Sequence, residues 1–160
     1  MRELSQIRDA VVSALAAEGV AALDAYPDQR ARRYGCPVAA VAVETAESRT
    51  VGFCKVFDTG AGAPRELYGK QLEAVISIEI RGQRAADCEQ GCETAAEVLL
   101  ERLPAGIRPG ELNWEALTWE RETGLFLRRG RLRCRAYFLA RAEEGDTVFL
   151  DFRLKGAVTT

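Results

Sequence analysis

The sequence contains no histidine among its 160 residues. Histidine is the usual general base near neutral pH, and it activates most serine and cysteine nucleophiles. The glycine-rich signatures G-x-x-x-x-G-K-[ST] and G-x-G-x-x-G, which cradle nucleotide phosphates, are also missing. Carboxylate pairs such as Glu143 and Glu144 are more often solvated charge than acid–base machinery. We therefore expect no enzymatic activity, no catalytic residue and no bound cofactor.

Cysteines are few and scattered. The five are Cys36, Cys54, Cys88, Cys92 and Cys134. Their odd number and wide spacing argue against a disulfide framework. Cys88 and Cys92 are four residues apart and can point the same way from a helix, but a zinc site would need two more ligands in a chain without histidine. We expect small buried apolar side chains and no metal site.

The sequence also lacks an excess of positive charge and any apolar run of transmembrane length. The 22 basic and 24 acidic residues leave a formal net charge of −2, so no overall positive field attracts nucleic acid or an anionic membrane. Residues 1–20 do not resemble a secretory signal, because Glu3, Arg8 and Asp9 interrupt the stretch that would have to be apolar. We expect synthesis in a cytoplasm and no membrane partner.

The composition is that of a folded globular protein. Apolar residues make up 48% of the chain and charged residues 29%. A length of 160 residues suits one domain with a substantial core. Because no repeat or low-complexity tract divides the chain, we expect a single domain over residues 1–160.

Two segments have helical periodicity. Apolar residues recur at steps of three and four at Leu4, Ile7, Val11 and Leu15, which predicts a helix over about residues 3–18 that ends at Gly19. The second helix is predicted over residues 85–103, before Pro104. Its apolar side consists of Cys88, Cys92, Ala95, Leu99 and Leu103.

The remaining apolar segments have the pattern of strands. Strands are predicted at 37–45, 49–57, 67–82, 111–122, 125–144 and 146–156, with a polar connector at 25–37 and a loop at 58–66. The alternation is clearest where Ile76, Ile78 and Ile80 are separated by polar residues. This order predicts an α+β fold, a mostly antiparallel β-sheet with both α-helices packed on one face.

A row of arginines occupies alternate positions of one predicted strand: Arg131, Arg133 and Arg135, called here the arginine row. The residues between and after them, Leu132, Cys134, Ala136 and Phe138, are apolar or small. Side chains alternate between the faces of a sheet. If the apolar set faces the helices, the arginine row lies on the opposite face with Tyr137 and Leu139. These five residues, Arg131, Arg133, Arg135, Tyr137 and Leu139, are the candidate subunit interface.

Three interpretations of the arginine row remain open. It could be a solvated face whose arginines pair with acidic neighbours such as Glu115, Glu120 or Asp151. It could be a protein interface, since arginine interleaved with aromatic residues is typical of interfaces, and Phe149 and one alternating set of the residues around Trp114 and Trp119 are expected on the same face. Only three of the 22 basic residues are lysines, and arginine suits buried bidentate contacts better. Specific nucleic-acid binding is disfavoured, because neither a basic excess nor a known motif is visible.

Several strings resemble the tail terminator family, the small tail-completion proteins of long-tailed bacteriophages and prophages. They are YPDQRARRYGCPVAAVAVE, RELYGKQLEAVISIEI, TWERETGLFLRRGRLRCRAYFLAR and FLDFRLKG. The resemblance spans most of the chain, and none of these strings is catalytic. It therefore implies a fold and a role, but it assigns no function to any individual residue.

The resemblance implies a structural protein that assembles with itself into a ring, commonly a hexamer. Such a ring caps the tail tube and joins it to the head or connector, so the expected partners are the tail tube protein and a head–tail connector protein. The expected location is the virion tail, after synthesis in the bacterial cytoplasm. The alternatives are another neck or baseplate component of similar fold, or a small nucleic-acid or ligand-binding domain that uses the Arg131–Arg135 face.

Overall fold

The structure is a computed structural model that describes residues 2–23, 37–56, 65–141 and 153–154. Its elements in chain order are α1 Arg2–Ala17, β1 Ala21–Leu23, β2 Val38–Val56, β3 Arg65–Gly82, α2 Ala85–Glu101, β4 Ile107–Trp114, β5 Thr118–Glu120, β6 Leu125–Arg141 and β7 Arg153–Leu154. The predicted α+β class is confirmed.

All the described strands belong to one sheet, in the order β1-β2-β3-β6-β4. β5 and β7 also pair with β6, so β6 has neighbours on both edges and is central, as expected. Every pairing is antiparallel except that of β1 with β2, which is parallel. The sequence pattern did not predict β1, because its three residues are too few to show a period.

The two strands predicted at 37–45 and 49–57 are one strand in the structure, which corrects the prediction. β2 pairs with β3 from Val38 to Val56, with register shifts between Val43 and Thr45 and between Thr50 and Gly52. Residues 46–50 are exposed on both faces of the hairpin. A strand that is solvated on both faces loses the alternation of apolar and polar residues, so its sequence resembles a turn.

Some predicted elements lie outside the described residues. These are most of the connector at 25–37, most of the loop at 58–66, and all of the last strand at 146–156 except Arg153 and Leu154. The two described residues of that strand pair with Leu139 and Phe138 of β6.

Both helices pack on one face of the sheet, as predicted. The core includes Ile7, Val11 and Leu15 of α1, Cys88, Cys92, Ala95 and Leu99 of α2, and Leu132, Cys134, Ala136 and Phe138 of β6. Leu72, Ala74, Ile76, Ile78 and Ile80 of β3 complete this surface. We call this the helix-covered face and the opposite one the outer face. The Lys70 ammonium donates to the Glu3 carboxylate at 2.9 Å, which ties the first turn of α1 to β3.

A close contact between β4 and β6 requires glycine at position 130. Trp114 and Gly130 are directly paired, and the indole ring of Trp114 lies where a side chain at 130 would be. A Cβ atom built on Gly130 would be 2.6 Å from two ring carbons. Trp114 packs against the core from this position.

We predict that Gly130→Ala lowers the free energy of unfolding by about 1–3 kcal/mol, because the added methyl group overpacks this contact. The measurement is chemical denaturation in the wild-type and Trp114→Leu backgrounds. The smaller side chain should remove most of the cost, while Ser77→Ala in β3 serves as a control. An equal cost in both backgrounds would contradict the steric explanation.

Candidate interaction surface

The candidate interface residues lie in one line on the outer face. The register of β6 with β3 pairs Ser77 with Arg131, Val75 with Arg133, Glu73 with Arg135, Gln71 with Tyr137 and Gly69 with Leu139. The side chains of Arg131 and Arg135 are 60% and 62% exposed. Tyr137 and Leu139 are half-buried. No described helix covers this line of residues, since both helices pack against the helix-covered face.

Two members of the arginine row have carboxylate partners. Arg131 Nε lies 3.0 Å from Glu44 of β2, and Arg135 Nε lies 3.4 Å from Glu73 of β3. Arg133 stands beside Val75 and, within the described part of the chain, has no carboxylate within ion-pair distance. The middle guanidinium of the row therefore lacks the acidic partner that its two neighbours have.

Acidic neighbours do pair with the row, but two of the three expected partners, Glu115 and Glu120, were wrong. Glu115 does not pair through its carboxylate, since only its backbone carbonyl accepts a hydrogen bond from Arg128. Glu120 pairs with Arg81 instead, and Asp151 lies outside the described residues. The partners come from β2 and β3 because β3 runs beside β6 along the whole row.

The tryptophans also do not join the candidate interface. Trp114 covers Gly130 on the helix-covered face. Trp119 is paired with Phe126 on that same side, and their rings meet edge to face at 4.9 Å. Phe149 lies outside the described residues. Among the aromatic residues considered, the structure places only Tyr137 on the outer face.

An open depression crosses the outer face beside the arginine row. It has a volume of about 720 Å³ and is bordered by residues 45–47 of β2, 73–75 of β3, 108–111 of β4, and 133–135 and 137 of β6. The guanidinium of Arg108 lies 5.5 Å from the centre of the Tyr137 ring, within the range of a cation–π contact. Guanidinium groups of this kind bind carboxylates or phosphates, but Glu47 and Glu73 border the same depression and would oppose a strongly anionic ligand.

A buried arginine on the outer face escaped sequence analysis. Arg81 is only 7% exposed and lies between Val38 and Leu127 of the flanking strands. Its Nε and Nη2 donate to the Glu120 carboxylate at 2.9 and 3.2 Å, and Nη1 lies 2.9 Å from Glu79. Because Arg81 occupies a polar position of an alternating strand, its sequence context did not distinguish it from a solvated residue.

The charges around Arg81 stabilise one another. Hydrogen bonds from Arg81, and then from Thr123, lower the pKa of Glu120 despite its partial burial. Burial alone would lower the pKa of Arg81, but the carboxylates of Glu120 and Glu79 more than offset this and raise it. The ion pairs attach β5 and the turn after it to the outer face.

Three cysteine side chains are buried in the core. Cys88, Cys92 and Cys134 are free thiols, and Cys88 Sγ lies 3.3 Å from the carbonyl oxygen of Ile80. The hydrogen bond with Cys88, together with burial, raises the pKa of Cys92, and burial raises that of Cys134 to about 11. In the ranges that the structure describes, no three potential metal-binding side chains cluster.

Comparison with known proteins adds no family. No protein-family model matches the sequence, and no curated protein matches it significantly. Among the described helices, none is long and apolar enough to span a membrane.

We predict that Glu120→Gln lowers the free energy of unfolding by about 1–3 kcal/mol at pH 7, because Arg81 then loses a charged acceptor. Its hydrogen bonds lower the pKa of Glu120 in the folded state, so the contribution of this carboxylate is complete above the ordinary pKa of a glutamate and disappears as pH falls through the lowered folded-state pKa. The difference in the free energy of unfolding between variant and wild type should therefore shrink as the pH falls from about 5 to about 2. Urea denaturation at each pH measures this difference.

The control for this experiment is Glu122→Gln, which changes an exposed carboxylate in the turn after β5. It should alter stability little at any pH, because surface charges contribute little. A Glu120→Gln deficit that stays constant from pH 7 to pH 2 would show that the side chain acts by packing rather than by charge.

Proposed function

We propose that the protein is a structural subunit of a phage or prophage tail, similar to a tail terminator, which forms a ring that caps the tail tube and joins it to the head or connector. The observation that carries this proposal is the line of exposed arginines, followed by Tyr137 and Leu139, on the central strand of a sheet face that no described helix covers. The family resemblance of the sequence supplies the kind of assembly.

The chemistry of this face suits contact between proteins. Arginine makes planar, bidentate and weakly hydrated pairs, and it is enriched in interfaces together with tyrosine. The pairs Arg131–Glu44 and Arg135–Glu73 are exposed, so each contributes about 0–1 kcal/mol to the fold. Folding alone therefore gives little reason to concentrate arginine on this strand.

The proposed action is geometric. One surface of the ring would match the docking surface of the tail tube protein. The other surface would not bind a further layer of tube protein but would bind the connector protein. Subunits made in the bacterial cytoplasm would reach their final location in the virion tail. A ring whose subunits each present two different surfaces is a heterologous assembly, which closes after a fixed rotation.

We predict that the double variant Arg133→Glu with Arg135→Glu stays folded but no longer caps tail tubes. Both side chains lie on the outer face, so the core should be intact, and circular dichroism measures this. Electron microscopy of tubes polymerised from the tail tube protein of the same phage or prophage measures capping. The wild-type chain should give capped tubes of limited length, and the variant should not.

A matched control carries the same charge change at two exposed sites away from the row, Arg2→Glu with Arg121→Glu. It should cap tubes as the wild type does. Normal capping by the double variant at 133 and 135 would overturn the role proposed for this face.

The depression beside the row favours a second candidate, a binding domain for a small anionic ligand or nucleic acid. Arg108, Arg133, Arg135 and Tyr137 all border it. This candidate predicts measurable DNA affinity at low salt that falls steeply as salt rises and is lost in the double variant. We expect no such affinity from the tail protein. A wild-type chain that binds DNA in this way, with a double variant that still caps tubes, would replace the first proposal with the second.

A further inference from the structure

The solvent side of α2 carries a row of acidic residues. Glu89, Glu93, Glu97 and Glu101 follow at every fourth position, all are exposed, and we call them the glutamate row. Residues four apart lie along one side of a helix. The buried residues of α2, among them Cys88, Ala95 and Leu99, lie on the opposite side, against the sheet.

Within the described part of the chain, the glutamate row is only partly neutralised. Glu97 accepts a hydrogen bond from Arg102 at 2.8 Å. Among the described residues, Glu89, Glu93 and Glu101 have no basic partner within ion-pair distance. Like charges four residues apart on a helix repel one another. Cations supplied from outside the chain would relieve this repulsion.

The spacings of the two charged rows are nearly equal. Four residues of α-helix rise about 6.0 Å. Two residues of β-strand rise about 6.7 Å. Three successive residues of a row span two such intervals, over which the two rows differ in length by only about 1.4 Å. Flexible arginine side chains can absorb this difference.

We propose that the arginine row of one subunit binds the glutamate row of α2 in a second copy of the chain, with Arg133 and Glu93 as the central ion pair. This inference rests on the proposed function, because it names the partner of the same outer face. The carboxylates of Glu89 and Glu97 then lie opposite Arg131 and Arg135.

An apolar contact extends the same alignment. Leu100 is 46% exposed and lies on the solvent side of α2, beyond Glu97. With Glu93 opposite Arg133, Leu100 comes close to Tyr137, which follows the arginine row on β6. One alignment thus provides a partner both for the exposed leucine and for the half-buried end of the row.

The existing ion pairs of the row are compatible with this contact. Arg131 and Arg135 keep exposed pairs with Glu44 and Glu73, and a guanidinium has five N–H donors. Each guanidinium can therefore keep its own carboxylate partner and donate further hydrogen bonds to a second carboxylate from the neighbouring subunit. Arg133 has no carboxylate of its own among the described residues, so it gains most from the neighbour.

The two rows lie on opposite sides of the sheet. A single chain therefore cannot join its own rows, and two chains cannot both use both rows in a closed dimer. The contact is head-to-tail, and it gives a ring if the rotation between subunits closes and an open filament if it does not.

Charge reversal tests the central pair. Sedimentation of the wild-type chain over a concentration series should show self-association at or below about 1 mM. Arg133→Glu and Glu93→Arg should each weaken that association at least about a hundredfold, because each places like charges opposite one another. The controls are Arg121→Glu and Glu122→Arg, which make the same charge changes in the exposed turn after β5 and should associate normally.

Mixing the two variants provides the sharper test. Neither variant should associate with itself, but an equimolar mixture should assemble by alternation, because every junction then joins opposite charges. The chain that carries both substitutions should also associate with itself. Circular dichroism of each variant confirms that lost association does not reflect unfolding.

Three results would overturn this contact: a wild-type chain that stays monomeric to about 1 mM, normal association of Glu93→Arg, or a mixture without assembly. Loss of association in Arg133→Glu alone would mean that the outer face binds a surface other than the glutamate row. The proposed function would survive any of these results if the wild-type chain caps tail tubes. Conversely, rescued association that yields only open filaments would confirm the contact and contradict the ring.

Discussion

The register between β3 and β6 is the constraint on which the rest of the structure depends. The two strands pair without interruption from Leu67 with Arg141 to Gly82 with Phe126. Because side chains alternate, this register places Leu132, Cys134, Ala136 and Phe138 under the helices and the arginine row on the outer face. A slip of one residue would exchange the two sets, burying guanidinium groups and exposing the core. The apolar set thus fixes where the charges of the outer face lie.

The same register explains why charge on the outer face has two different roles. At one end, Arg81 is enclosed by Val38 and Leu127 and forms ion pairs with Glu79 and Glu120, so these charges help to hold the domain together. Removing one partner of a buried ion pair destabilises the folded state, because the other charge is then left without a partner. Along the arginine row, the pairs are half exposed and contribute little to folding. The fold therefore holds the charges near Arg81 in place but leaves those of the row available to another molecule.

The sequence predicted the elements in which apolar residues recur with a strong local period. The repeats at Ile7, Val11 and Leu15 predicted α1, and the alternation around Cys134 predicted the central strand and its two faces. The same pattern could not show that Glu44 and Glu73 are the acidic partners of the row, because strand neighbours depend on the topology of the whole sheet. Arg81 was missed for a related reason, since its burial depends on Glu120, which is distant in sequence. The long β2 was missed because its exposed part has no apolar face.

The missing partner of Arg133 follows from an irregularity in β2. Between Val43 and Thr45, the register with β3 shifts, and Glu44 is the extra residue. A bulge of this kind redirects the side chain of its extra residue, and Glu44 reaches Arg131 across the sheet. The next row of the outer face then contains Thr45, Val75 and Arg133 on these three strands, and no described carboxylate lies within ion-pair distance of the arginine. The bulge therefore neutralises one end of the arginine row and leaves its centre as the site with most to gain from an acidic neighbour.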